Sequence, residues 1–420
     1  MNHIPRTRTV VSCVLLVTAL GAGTTACGSD GDPLSAAPYD AAGLISFNGP
    51  TGAGKRADPD KPLEVTVKDE GRITDVTAQD STGRYVAGEL AADGSRWHST
   101  SPLAASAHYT VTVSTEDDDG APGRKVLSFD TTKPATKKQL GITFGPDTGQ
   151  YGVGQIITAQ LGQEIKDKAQ RAVVERGLRV DSVPAVPGSW YWVSGKELHY
   201  RPKDYWPVHA TIQVHSNLDG VKIGGGLWGG RTKPVKLTTG DRVEALTDAA
   251  AHEMTVFRNG AVIKTMPVTT GKPGYETRNG VKVVLEKQYF VRMRGVTVGI
   301  AEGSRDSYDL PVYYATRVTW SGEYVHAAPW SVGSQGYANV SHGCTGMSTS
   351  NAQWFFNTVQ EGDIVRVVNS GGEPMEPFGN GFGDWNVTWK KWRTGSALTG
   401  LPGNGQSPSS DAVRLQPTAV

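Results

Sequence analysis

Cysteine is nearly absent from this chain, with three among 420 residues: Cys13, Cys27 and Cys344. With so few thiols, and two of them close to the N-terminus, a disulfide-stapled scaffold is excluded. No charge of either sign dominates, since 42 lysines and arginines face 41 aspartates and glutamates. A balance this even provides no field to steer the chain to nucleic acid or an anionic lipid surface. Long apolar runs are missing too; residues 10–20 form an apolar stretch too short to span a bilayer. Long helical periodicities are also few. What is plentiful is glycine, 52 residues, together with 24 prolines, which points to a β-rich exported protein. The length allows about two to four domains.

The N-terminus indicates the compartment. Arg6 and Arg8 precede the apolar stretch, and Ala26-Cys27 is followed by the polar run Gly28-Ser29-Asp30-Gly31-Asp32. This order resembles a bacterial lipoprotein signal in which Cys27 becomes the acylated first residue, although Thr24 stands where leucine is usual. Simple secretion with cleavage near Ala26 is the alternative. On the lipoprotein reading the protein is extracytoplasmic and held to the cell membrane by a lipid on Cys27. The mature chain then has one free thiol, Cys344, and cannot form an intramolecular disulfide.

After a linker rich in small and polar residues, short alternating stretches appear: Glu64-Val65-Thr66-Val67, Ile73-Thr74-Asp75-Val76 and Tyr109-Thr110-Val111-Thr112-Val113. Turn pairs such as Asp93-Gly94 and Asp119-Gly120 separate stretches of this kind, the pattern of antiparallel strands in a sandwich. The pattern repeats. Gly94, His98, His108, Thr110 and Val113 recur at a constant offset as Gly195, His199, His209, Thr211 and Val214, and Ile45-Ser46-Phe47 recurs as Ile142-Thr143-Phe144. Two similar sandwiches follow. His199, His209 and His215 suggest metal ligands, but His98 and His108 repeat two of those positions, which favours a structural role. Gly224 to Gly230 reads as a hairpin, because no Gly-Lys-Ser/Thr follows it to make a phosphate loop.

The chemistry lies further on. The chain reads His326-Ala327-Ala328-Pro329-Trp330, then Ser341-His342-Gly343-Cys344-Thr345-Gly346. A cysteine between a histidine and a following loop, with a second histidine upstream, is a nucleophile arrangement. A thiolate attacks carbonyl carbon well and a thiol does not; free cysteine titrates near ~8.5, so an imidazole must lower that pKa or take the proton. Gly343 removes a side chain beside the sulfur. Around the motif, Asn259-Gly260 predicts a hairpin turn, residues 289–294 and 296–300 a second hairpin, and residues 320–328 a strand carrying His326. Ser348 caps a helix over about 349–359, whose positive end would favour a nearby thiolate.

These residues carry a resemblance. The motif is similar to the signature of the L,D-transpeptidase (YkuD-type) family: a histidine, a gap, then Ser/Thr-His-Gly-Cys, an apolar residue and asparagine. Thr345 and Gly346 stand at the last two places, so the asparagine is missing. Further matching pieces are Ser321-Gly322, Trp330-Ser331-Val332-Gly333, Met266-Pro267-Val268-Thr269-Thr270-Gly271-Lys272, Asn351-Ala352-Gln353-Trp354-Phe355, Gly362-Asp363-Ile364-Val365 and Gly383-Asp384-Trp385-Asn386. The domain order resembles the actinobacterial branch. The implied fold is mainly β: two tandem immunoglobulin-like β-sandwiches, a YkuD-type β-rich catalytic domain with short helices, and a C-terminal subdomain. The boundaries expected are a signal peptide at 1–26, a linker at 27–40, sandwiches at 41–136 and 137–239, the catalytic domain at 240–371, the subdomain at 372–400 and a disordered tail at 401–420. The subdomain, with Trp385, Trp389 and Trp392, is expected to fold back on the catalytic domain; stacking on glycan is the alternative role for its tryptophans.

The resemblance also implies a mechanism. Cys344 attacks an amide carbonyl to give a thioester, and His326 is the general base, oriented by the Ala327 carbonyl. Amides around Gly343 and Cys344, with the Tyr308 hydroxyl, hold the oxyanion. His342 tunes the thiol or holds the loop that begins at Ser341. Met293, Tyr308, Trp330, Ser321 and Gly322 line the donor cleft with Gly346 at the asparagine position; core packing is the alternative for Met293 and Trp330. The implied donor is a peptidoglycan stem tetrapeptide that loses D-Ala, and the acceptor is the side-chain amine of another stem's diaminopimelic acid. The links formed serve cell-wall biogenesis and cell shape, and carbapenems are implied as covalent inhibitors. No cofactor, metal or nucleic acid is called for. An L,D-carboxypeptidase, a transferase attaching protein to the wall and an inactive wall-binding module remain alternatives.

Overall fold

Along the strand His108–Glu116 the side chains alternate, with Tyr109, Val111, Val113 and Thr115 buried and their neighbours outward, as a half-buried strand requires. The computed structural model that shows this describes residues 37–400 apart from 51–54, 69, 135 and 137. Cys13, Cys27 and the expected tail lie outside the described residues. His108–Glu116 pairs with Arg72–Asp80 and Pro122–Thr131. The facing sheet contains Ile45–Phe47, Glu64–Val67, Arg96–Ser99 and Gly88–Leu90. Val65 and Trp97 from one sheet meet Ile73, Val111 and Phe129 from the other.

The internal repeat is a repeat of topology. In the second sandwich, Ile142–Gly145, Ile157–Leu161, Glu197–Pro202 and Gly188–Trp192 follow the same spatial order as the four strands just named. His98 and His199 therefore lie on equivalent strands. The three candidate ligands do not converge: His199 meets Asp384 at 2.6 Å, His209 meets Asp241 at 3.3 Å, and His215 meets Asp181 at 3.7 Å. Gly225 and Gly226, both at positive φ, make the expected hairpin between Lys222–Gly224 and Leu227–Gly229.

The catalytic region is built from two sheets. The first holds Ala261–Pro267, Glu253–Arg258, Val243–Asp248, Ile364–Val368 and Gly280–Val283 in that order. Asn259 and Gly260, at φ 49° and 85°, turn its hairpin as the sequence predicts. The second holds Glu286–Arg294, Asp309–Arg317, Tyr324–Ala327 and Thr345–Met347. The helix Thr349–Thr358, capped by Ser348 on the Asn351 N–H, packs on this sheet and closes a core of Val256, Met266, Val325, Met347 and Phe355.

Two local expectations give way. Residues 296–300 are not a strand: Gly295–Val298 is a short 3-10 turn ended by Gly299 at φ 84°, and Asp309–Arg317 pairs with Glu286–Arg294 instead, bringing Leu310 opposite Met293. The His326 strand begins at Tyr324 rather than at 320, because Gly322 at φ 107° and the Thr319 hydroxyl on the Glu323 N–H hold a turn before it. The C-terminal segment is a strap that meets the catalytic sheet, as expected, and reaches the second sandwich as well. Its helix Trp389–Thr394 packs on Gly188–Trp192 of the second sandwich, and the fully buried Trp392 donates to the Ser189 carbonyl at 2.9 Å. The Arg201 guanidinium lies 4.6–5.5 Å from the ring centres of Trp385, Trp389 and Trp392, taking a face of each that stacking on glycan would use. Asn386 meanwhile bonds both the N–H and the carbonyl of Val281 in the catalytic sheet.

Candidate active site

Parallel pairing of two short strands assembles the site. Val325 lies opposite Thr345, His326 opposite Gly346, and Ala327 opposite Met347. Side chains alternate between the faces of such a sheet. Val325, Ala327 and Met347 enter the core beneath the helix, whereas Tyr324 and Cys344 pack together on the other face with Met293, Leu310 and Val312. By the same alternation His326 and Cys344 share that outer face. Met293 thus contributes to the wall around the sulfur.

His326 is almost fully buried, and its Nδ1–H donates to the Ala327 carbonyl at 2.8 Å. That bond leaves Nε2 as the basic nitrogen. Burial pushes the imidazole pKa below its ordinary value, with the carbonyl bond opposing, so the ring rests neutral. Trp330 stacks on it with ring centres 6.0 Å apart and is half exposed, so the core-packing alternative for Trp330 falls away.

The Cys344 thiol donates to the Gly322 carbonyl at 3.5 Å rather than to the imidazole. Burial pushes the thiol up to about 12; the Tyr324 N–H and Lys282 oppose this and Glu323 adds to it. The resting thiol is therefore protonated rather than a preformed thiolate. The helix does not help as expected, because Thr345–Met347 separates Cys344 from the helix start by about 10 Å of strand, beyond the reach of a terminal dipole.

The loop before the sulfur is held from several sides. Ser341 Oγ donates to the Cys344 carbonyl at 2.6 Å and accepts the Gly343 N–H at 3.1 Å. The Gly343 amide is thus already engaged, which corrects its expected place among the oxyanion donors. Thr277 Oγ1 donates to the Gly343 carbonyl at 2.8 Å. Gly343 is required for its φ of 113°, not for space: an added Cβ would meet nothing nearer than 3.6 Å. Gly346 is the reverse case. A Cβ there would lie 3.0 Å from the Ala328 Cβ and 3.1 Å from Thr269 Cγ2, and Thr269 bonds both its N–H and its carbonyl.

His342 lies between the rings of Tyr275 and Tyr308, at 4.7 and 5.0 Å, with its Nε2 3.7 Å from Asp306. Burial and Lys272 hold its pKa below the ordinary value against the pull of Asp306. This packing favours a structural role. Burial, with a contribution from Cys344, pushes the Tyr308 hydroxyl up to about 12, so it stays a proton donor. Ser321 takes part through its backbone, donating to Asn380 at 2.7 Å, while its hydroxyl meets Thr319. A Cβ on Gly322 would lie 3.2 Å from Val298, so the 3-10 turn closes over the Gly322 turn.

Sequence reasoning missed the charges under this site. Lys282, with no exposed surface, pairs with Glu323, which also accepts the Arg278 backbone N–H at 3.0 Å and its guanidinium at 3.2 Å. The available signal was a lone lysine in Gly280-Val281-Lys282-Val283-Val284 and a lone glutamate entering an apolar strand, each in a run where a buried charge needs a partner.

A model described as the L,D-transpeptidase catalytic domain matches residues 242–367, and one described as a bacterial Ig domain matches residues 54–222, across both sandwiches. L,D-transpeptidase 2 of Mycobacterium tuberculosis (strain CDC 1551 / Oshkosh) is 38% identical over 338 residues, 80% of this chain and 81% of that protein. L,D-transpeptidase 5 of Mycobacterium tuberculosis (strain ATCC 25618 / H37Rv) is 30% identical over 410 residues, 94% of this chain and 88% of that protein. A solved L,D-transpeptidase in complex with imipenem is 38% identical, covers 54% of this chain and 99% of its own, and superposes with a TM-score of 0.47.

Proposed function

The chain belongs to the L,D-transpeptidase (YkuD) family, and on that premise we propose that it cross-links peptidoglycan through a thioester on Cys344. The observation that carries this reading is the parallel register, which sets His326 opposite Gly346 on the face shared with Cys344. Nε2 of His326 takes the thiol proton as sulfur bonds to the donor's carbonyl carbon at the L-centre–D-Ala bond. The oxyanion is stabilised by the Cys344 amide and the Tyr308 hydroxyl. Collapse breaks the C–N bond, and His326 returns the proton to the departing D-Ala amine. The side-chain amine of a diaminopimelic acid in a second stem then attacks the thioester, forming an amide between two third-position residues and restoring the thiol. Ser321, Gly322, Met293 and Trp330 border the donor. Gly346 puts no side chain where the family pattern has asparagine, so orientation there falls to the surrounding backbone.

Carbapenems acylate Cys344 in the same proposal, a β-lactam carbonyl taking the place of the donor amide. The enzyme works outside the cytoplasm, tethered by a lipid on Cys27 and facing the wall, with the two sandwiches as spacers. Mass spectrometry of a disaccharide-tetrapeptide incubated with the enzyme tests the reaction. A cross-linked dimer with release of D-Ala is expected, and tripeptide monomer alone would make the enzyme a carboxypeptidase. Cys344→Ala should form neither product, and retained dimer formation in that variant would defeat the mechanism.

A further inference from the structure

A fully buried lysine is costly unless its charge is compensated, and Lys282 is compensated by a carboxylate that sits against the nucleophile. Glu323 follows Gly322, whose carbonyl receives the Cys344 thiol, and precedes Tyr324, whose N–H faces the sulfur. Its side chain also lies beside Gly343, where an added Cβ would come 3.8 Å from Glu323 Cγ. Lys282 reaches it from the neighbouring sheet, on the strand Gly280–Val283, and Arg278 closes the other side of the carboxylate before meeting Glu376 at 3.1 Å. The charged and titratable groups around the sulfur are thus Glu323 and Lys282 beneath it, with Arg278 on the far side of Glu323, Tyr324 and His326 on its own sheet, Tyr308 from the segment before Asp309–Arg317, and His342 on its loop, itself faced by Asp306 and Lys272 from two other loops.

We propose that Lys282 is a positioning residue for the nucleophile: its pairing with Glu323 fixes the turn that receives the thiol and cancels the negative field of that carboxylate at the sulfur. The inference rests on Cys344 being the nucleophile. Without the ammonium ion, an uncompensated Glu323 opposes the negative charge that develops on sulfur as His326 takes the proton. Without the carboxylate, the same ammonium ion favours that charge. Removing the two partners singly therefore shifts the thiol in opposite directions, which a role confined to packing would not do.

The test is the pH dependence of Cys344 alkylation by iodoacetamide in the full chain, followed by intact-mass spectrometry. Lys282→Met should raise the midpoint by about one pH unit, a tenfold slower reaction at pH 7, and Glu323→Gln should lower it. The double variant Lys282→Met/Glu323→Leu, with both charges deleted, should return close to the wild-type midpoint. Where either single variant fails to fold, Arg278→Gln decides alongside the double variant, because Arg278 is partly exposed and its loss should raise the midpoint by a smaller amount. Single variants that both shift the midpoint the same way, a midpoint unmoved in both, or an unmoved midpoint in Arg278→Gln would overturn the proposal. The nucleophile reading fails separately, through dimer formed by Cys344→Ala, and alkylation needs no turnover.

Discussion

Two histidines in this molecule are equally hidden from water, His199 at 4% exposure and His326 at 5%, yet they carry opposite charge states. Burial disfavours the imidazolium in both. In His199 the Asp384 and Glu197 carboxylates outweigh it and hold the pKa up at about 9. In His326 the partner is the Ala327 carbonyl, which orients the ring without supplying charge, and the pKa stays below the ordinary value. The first is a cation locking the second sandwich to the C-terminal strap; the second is a neutral imidazole held by one carbonyl. Depth alone does not distinguish them, and the identity of the acceptor does.

The comparison can be broken most sharply at His326. His326→Gln should slow carbapenem acylation of Cys344 by about 10²–10⁴-fold, measured by intact-mass kinetics, while the melting temperature falls little, since the loss is one buried hydrogen bond worth about 1 kcal/mol. His199→Leu should do the reverse. It leaves Asp384, fully buried, without its hydrogen-bonded imidazolium and with only the Arg201 charge near it, and should cost about 3–5 kcal/mol by calorimetric unfolding with the alkylation midpoint of Cys344 unchanged.

Titration sharpens the contrast, because the two signs are opposed. His199 has a folded-state pKa of about 9, above its unfolded value. Its contribution, about 3 kcal/mol, is therefore fully present below pH ~6.5 and lost as pH rises through 9. His326 has a folded-state pKa below its unfolded value, so its contribution is present above pH ~6.5 and lost as pH falls beneath that. Melting temperatures across this range should decline on both sides, and His199→Gln should flatten the alkaline decline alone. The smallest effect expected is at Gly346. Gly346→Asn brings in the family's asparagine but overpacks against Ala328 and Thr269, costing about 1–3 kcal/mol, and should not speed acylation in the same mass assay.

Much of this was legible in the sequence because it is local. The Asn259-Gly260 turn, the Ser348 cap and the period-two strands each follow from a few adjacent residues, and the repeated sandwich follows from those residues recurring. The motif Ser341-His342-Gly343-Cys344 was legible for the same reason, whereas the Ala327 carbonyl beside His326 was expected only from the family resemblance. The misreadings concern partners distant in sequence. Residues 296–300 have a strand's composition, but Asp309–Arg317 claims the pairing edge. The glycan-stacking alternative for Trp385, Trp389 and Trp392 stayed open for the same reason, since only Arg201, almost two hundred residues earlier, lies across them to close it.

By itself the amino-acid order determined that this protein is built from β-strands and that a cysteine and two histidines lie within one short stretch, since these are matters of local conformation and composition. The tertiary structure decided which of the buried groups are charged. It engaged the Gly343 amide with Ser341, kept the His326 imidazole neutral, made His199 a cation, and set Lys282 and Glu323 beneath the sulfur. The reason is electrostatic: the energy of a charge out of water depends on the few groups that fold against it, and those groups come together only when distant segments pack.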